Sequence, residues 1–115
     1  MVKVKYLPLG SVVTVMGGLQ KLMLVGRGLN VSDNGETHFF DYAAVPYPMG
    51  LVKDKVAYFN HDAVDLVLFY GYDDDDNRIY AELINKYLEE HPEVIRHTPA
   101  AEEGGEGADN GQTSL

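Results

Sequence analysis

Four consecutive aspartates, Asp73, Asp74, Asp75 and Asp76, stand between Tyr70 and Tyr72 on one side and Ile79 and Tyr80 on the other. Clustered carboxylates have three physical uses: they bind a cation, attract a basic partner, or start a helix. The cation reading can be tested on spacing. Asp73, Asp75 and Asn77 imitate the first three ligand positions of an EF-hand loop, but its sixth position requires Gly where Arg78 stands, and its twelfth requires Glu where Ile84 stands. Calcium is therefore excluded at two positions. The expected structural role is a helix N-cap with further carboxylates in the first turn, where negative charge meets the positive end of the helix dipole.

The remaining polar residues assemble no catalytic motif. His38, His61, His91 and His97 form no HxH, HxxxH or HExxH pattern, so a metal site would need ligands from remote positions. His61 beside Asp62 is read as a pair of polar turn residues, and Ser11 sits in no nucleophile-elbow context. Cysteine is absent, which removes disulfides, thiolate ligands and a thiol nucleophile. Gly17-Gly18, and Gly26 with Gly28 around Arg27, match neither a P-loop nor GxGxxG and are expected to be turns. No catalytic residue, metal ligand or cofactor is assigned, and a non-enzymatic protein is expected.

Charge narrows the partners. The net charge is -9, which disfavours nucleic acid and anionic membrane surfaces, because both are bound through clustered Lys and Arg. Residues 1–60 are slightly basic, whereas residues 61–98 carry most of the acids and the last seventeen residues have four acids and no base. An acidic C-terminal half suits a partner with a basic surface. No run of apolar residues is long enough for a membrane span or has the form of a secretory signal, so a cytoplasmic protein is expected.

The elements that position these residues follow from apolar periodicity. Residues 10–16 and 19–27 read as a β-hairpin about Gly17-Gly18, and 29–36, with Asn34-Gly35, as a loop leading to a strand at 37–45. The first two strands show little polar alternation, which predicts cover on both faces, as in a small barrel. Residues 46–50 hold two prolines and predict a turn or an edge. A strand at 55–60, a helical turn at 61–65 and a strand at 66–70 follow. Residues 74–91 form the clearest helix, with Ile79, Leu83 and Tyr87 beside Tyr80, Ile84 and Leu88 as its buried stripe, ended by Pro92. The fold class is α+β: about five antiparallel strands curled toward a small barrel, with one C-terminal amphipathic helix. Residues 1–97 form a single compact domain, and 98–115, rich in Gly, Ala and acids, a disordered acidic tail.

Taken together, "KYLPLGSVV", "GGLQKLMLVGR", "FDYAAVPYPMG" and "YFNHDAVDLVLFYGY" with the acidic run after it resemble a small family catalogued as a domain of unknown function. Its members are encoded beside LXG-type toxins in type VII secretion loci of Gram-positive bacteria. The similarity covers about residues 5–90. It implies an accessory protein that binds a toxin, or the helical targeting partners of a toxin, as a chaperone or adaptor. It brings no catalytic residue. Two alternatives stay open: an immunity protein that neutralises a toxin's catalytic domain, and a small enzyme of unknown type. Tyr70 with Asp74, and Tyr72 with Asp76, fit the YxxxD/E export spacing, but the chain has no Trp and no helical hairpin precedes them, so the match is read as chance. Tyrosine joins apolar area to a polar tip, as interfaces require. Tyr70, Tyr72 and Asp73, Asp74, Asp75 and Asp76 are therefore the candidate partner-binding residues. Oligomeric state is left open, with a homo-oligomer allowed.

Overall fold

The structure, a computed structural model, describes residues 3–96. The expected acidic tail at 98–115 lies outside them. Strands run over Val12–Val15 (β1), Leu22–Asp33 (β2), Glu36–Pro46 (β3), Ala57–Phe59 (β4), Val64–Phe69 (β5) and Ile95–Arg96 (β6), with one helix at Asp75–Glu90 (α1). The class is α+β, as the sequence predicts. Five strands form an antiparallel sheet in the order β4-β3-β2-β1-β5, and the short β6 adds to β3 in parallel, opposite His38 and Phe39. The sixth strand is too short to carry a period and was not expected from sequence.

The sheet curls without closing. β4 and β5 lie at opposite ends of the strand order, yet only Asn60 and a 3₁₀ turn at His61–Ala63 join them. Five flat strands would separate the two edges by roughly 19 Å at about 4.8 Å per step. Three 3₁₀ residues advance only about 6 Å, so the sheet must bend until its edges approach. The Met16 amide then donates to the Ala63 carbonyl at 2.9 Å, tying this crossing to the end of β1.

Two sequence expectations are corrected. Residues 29–33 are strand rather than loop: Asp33 pairs with Glu36 and the turn contracts to Asn34 and Gly35, with φ of 51° and 82°. Both central residues with positive φ define the type I′ turn whose twist matches the flanking strands. Gly26 and Gly28 also lie inside β2 rather than in turns. There they admit close neighbours: Ile84 of α1 fills the space over Gly28, where a Cβ would meet it at 3.0 Å.

Helix α1 buries a narrower face than its apolar stripe suggests. Ile84, Asn85 and Leu88 are buried, whereas Ile79 and Leu83 are more than half exposed and Tyr80 nearly so. The expected opening of the buried face at Ile79 and Tyr80 is thus overturned. One reason is the segment before β1. It has no secondary structure, so backbone groups that find no backbone partner need side-chain ones. Asn85 supplies them as a strand would, accepting from the Val4 amide at 2.9 Å and donating to the Val4 carbonyl at 2.8 Å. The core beneath contains Tyr6, Leu7, Val13, Leu24, Phe39, Tyr42, Phe59, Ile84 and Leu88.

At the end of β5, Gly71 passes against the N-terminal segment. Its amide donates to Ser11 Oγ at 2.9 Å, and a Cβ there would land on the Leu9 carbonyl. Backbone cannot yield as a flexible side chain can, so Gly71→Ala must part the two segments. We expect a loss of about 2 kcal/mol or more, read as a lower urea midpoint with an unchanged m-value.

Candidate functional site

Two groups of residues have the composition of a site. The first is buried and surrounds Asp41, which is 0% exposed in the middle of β3. Its Oδ1 accepts from the Tyr6 hydroxyl at 2.7 Å. Its Oδ2 accepts from the His61 amide at 2.8 Å and from Arg96 Nη2 at 2.7 Å. The Asp41 amide in turn donates to Asn60 Oδ1 at 2.8 Å. Next to it, the Tyr42 hydroxyl accepts from the Leu7 amide at 2.9 Å and shares a hydrogen bond with His61 Nδ1, 2.7 Å away.

Asp, His and two Tyr in contact resemble an acid–base constellation, but Asp41 and the two tyrosine hydroxyls are bonded within the chain. Asp41 uses both oxygens on donors of the chain, and the Tyr42 hydroxyl is engaged by both the Leu7 amide and His61 Nδ1. A general base must reach a substrate proton, and the fully buried Asp41 carboxylate does not. The arrangement instead joins the N-terminal segment, β3, the 3₁₀ crossing and β6. His61 takes its partners from β3 rather than from the adjacent Asp62.

Arg27 is the second buried ion. Val25 is a bulge in the β2–β3 register, where Leu24 pairs with Ala44 and Gly26 with Ala43. A one-residue slip reverses the facing of every residue after it, and Arg27 turns inward. It donates to the carbonyls of Leu7 at 3.3 Å and Asn77 at 3.4 Å and lies 5.3 Å from the Tyr80 ring centre. Burial lowers its pKa below the ordinary guanidinium value. It fixes the start of α1 and the N-terminal segment to the sheet.

The second group is on the surface. Leu66, Leu68, Phe69, Tyr70 and Tyr72 are 55%, 47%, 62%, 64% and 80% exposed, five of seven consecutive residues. Among the described residues β5 pairs with β1 alone, in the register Val12 with Phe69, Val13 with Val67, Thr14 with Leu66 and Val15 with Val64, leaving Asp65 and Leu68 unopposed. These two bulges break the alternation that would otherwise turn every second side chain inward.

The aspartates follow directly. Asp74 is the N-cap of α1, with Oδ1 accepting from the Asn77 amide at 2.9 Å, and Asp75 and Asp76 lie in the first turn. Asp73 Oδ1 accepts from Asn77 Nδ2 at 2.9 Å and from Arg78 Nη1 at 3.3 Å, while Arg78 Nη2 reaches Asp75 at 2.8 Å. The hydrogen bond donated to Asp75 and the charge of Asp73 hold the Arg78 guanidinium above its ordinary pKa. One arginine against four carboxylates leaves the run acidic. The structure thus places all six sequence-derived candidates in one continuous stretch, five of them exposed and Asp74, the N-cap, half-buried. It adds Leu66, Leu68 and Phe69, which sequence reasoning assigned to an ordinary strand because bulges leave no mark in an apolar run. Among the described residues, no three His, Asp or Glu side chains converge as a metal cluster, and no helix is long and apolar enough to cross a membrane.

The family model described as domain of unknown function (DUF4176) matches residues 6–79, nearly two thirds of the chain. No curated protein and no solved structure matches it.

The buried tyrosines predict alkaline instability. Burial raises the pKa of Tyr6 far above its ordinary value, with the charge of Asp41 and the hydrogen bond to it adding to the effect. Burial likewise raises Tyr42, against the opposing effect of the Leu7 amide. In the unfolded chain both lose their protons near pH 10; in the folded chain they keep them. The stability is therefore fully present below about pH 10 and falls as pH rises from there toward the folded values, by at most about 1.4 kcal/mol per pH unit for each tyrosine. Urea titrations from about pH 8 to pH 11 should show this decline, and Tyr6→Phe or Tyr42→Phe should lower stability at pH 8 yet flatten it. Asp41→Asn, which leaves Arg96 without its anion, should cost about 3 kcal/mol at neutral pH.

Proposed function

We propose, for a chain that belongs to the DUF4176 family of unknown function, a role in binding protein rather than in catalysis. The observation that carries this reading is the exposed row from Leu66 to Tyr72, which continues into the acidic start of α1. Monomeric proteins rarely leave so many large apolar side chains together in water without a partner for them. Tyr70 and Tyr72 supply the amphipathic contact area typical of binding hot spots, and Asp73, Asp74, Asp75 and Asp76 favour a basic partner. The buried Asp41 network contributes stability to the scaffold.

The partner class comes from the sequence resemblance. In this reading the chain is a cytoplasmic accessory protein of a type VII secretion system, a non-enzymatic chaperone or adaptor for an LXG-type toxin or for the toxin's helical targeting partners. The contact surface is Tyr70, Tyr72 and the four aspartates together with the β5 side chains.

Co-expression with an LXG-type toxin followed by affinity capture at low salt tests it. The toxin's N-terminal helical region should be retained, and no retention sinks the adaptor role. Capture of the C-terminal toxic domain alone, with rescue of growth, would instead make the chain an immunity protein. Replacing Asp73, Asp74, Asp75 and Asp76 by Asn keeps most of the capping capacity. It should leave the melting temperature within a few degrees while weakening capture and flattening its salt dependence.

A further inference from the structure

We propose that the outer side of β5, from Leu66 to Tyr72, receives an amphipathic α-helix of about four turns with Lys or Arg at its ends, and not an added β-strand; this rests on the protein-binding reading above. Among the described residues, β5 is the last strand of the sheet and pairs on one side alone. A regular free edge is a template for strand addition, whose affinity comes from an unbroken backbone ladder. β5 has no such run. Asp65 and Leu68 are bulged, so only Leu66 and Val67 keep consecutive register. Bulges twist an edge away from further pairing.

What this edge presents is side chains. The two bulges put Leu66, Leu68 and Phe69 outside together, and Tyr70 and Tyr72 prolong the row. Seven extended residues reach at most about 20 Å. That equals about 13 residues of helix at 1.5 Å each, whose i, i+3, i+4 and i+7 positions form an apolar stripe of matching length.

Charge selects the occupant. Asp62 and Asp65 lie at one end of the row and Asp73, Asp74, Asp75 and Asp76 at the other. A second copy laid antiparallel on β5 would bring the Asp62 end of one chain toward the Asp73 end of the other, in a protein whose net charge is already -9. Like charges so placed oppose pairing. A helix with basic ends meets both acidic flanks favourably.

The test uses the full chain and three labelled peptides of about 16 residues. One carries Leu at helical stripe spacing with Lys elsewhere, the second has the same composition with the stripe scrambled, and the third alternates Val and Thr between Lys ends. Fluorescence anisotropy should show the striped peptide binding at least about tenfold tighter than either other peptide. Phe69→Lys or Leu66→Lys should weaken it by a similar factor, while Leu19→Lys, at an exposed apolar site elsewhere, should not. Equal binding of the scrambled peptide, tighter binding of the alternating peptide, indifference to Phe69→Lys, or self-association of the chain abolished by Phe69→Lys would each overturn the helix site. Toxin capture that survives Phe69→Lys and Leu66→Lys would also overturn it while leaving the adaptor role intact; failure of the unaltered chain to capture toxin counts against the adaptor role itself.

Discussion

A carboxylate with no access to water must be satisfied entirely by the chain, and Asp41 sets that condition for the whole molecule. Its donors come from three places far apart in sequence: the Tyr6 hydroxyl, the His61 amide and the Arg96 guanidinium. Removing one partner of such a buried set costs more than forming the set gains, because an uncompensated charge is left behind. The network therefore specifies geometry more than it adds stability. It requires the N-terminal segment to lie over β3, the 3₁₀ crossing to pass beside it, and the chain after α1 to return as β6. The bent sheet follows, since the crossing that donates to Asp41 is also the short link between the two sheet edges.

Three bulges distribute the remaining chemistry. At Val25 the slip turns Arg27 inward, where carbonyls and an aromatic ring replace water around the guanidinium. At Asp65 and Leu68 the slips act in the opposite sense and turn apolar side chains outward. One device thus buries a charge in the interior and exposes hydrocarbon at the edge. An exposed apolar edge invites aggregation, and the same irregularity that exposes it, with the acids at its ends, discourages pairing with a like edge.

The family match clarifies which of these features belong to the shared region. Residues 6–79 include Tyr6, Arg27, Asp41, Tyr42, His61 and the whole row from Leu66 to the aspartates, and end in the first turn of α1. Arg96 and Asn85 lie beyond it. The polar interior and the outer row are thus parts of the same matched unit, the one holding the scaffold and the other facing solvent.

Much of this was legible in the chain. β-Branched runs, the Asn34-Gly35 pair and the apolar period after Asp76 locate the strands, a turn and the helix, because each reflects local sterics or a repeat visible within a few residues. The aspartates could be assigned to a helix start for the same reason, and the exclusion of a calcium loop needed only spacing. The period could not say how much of the helix stripe would be covered, so Ile79 and Leu83 were placed inside although they face water. Nor could it reveal that Asp41, Arg27 and Asn85 are buried, since partners such as Asn60, Leu7 and Val4 lie between 19 and 81 residues away from them. Bulges are decided by the register between strands, which no single strand encodes. The sequence determined where most of the strands, the helix and the acid lie; the tertiary structure decided which side chains those segments hide and which they show.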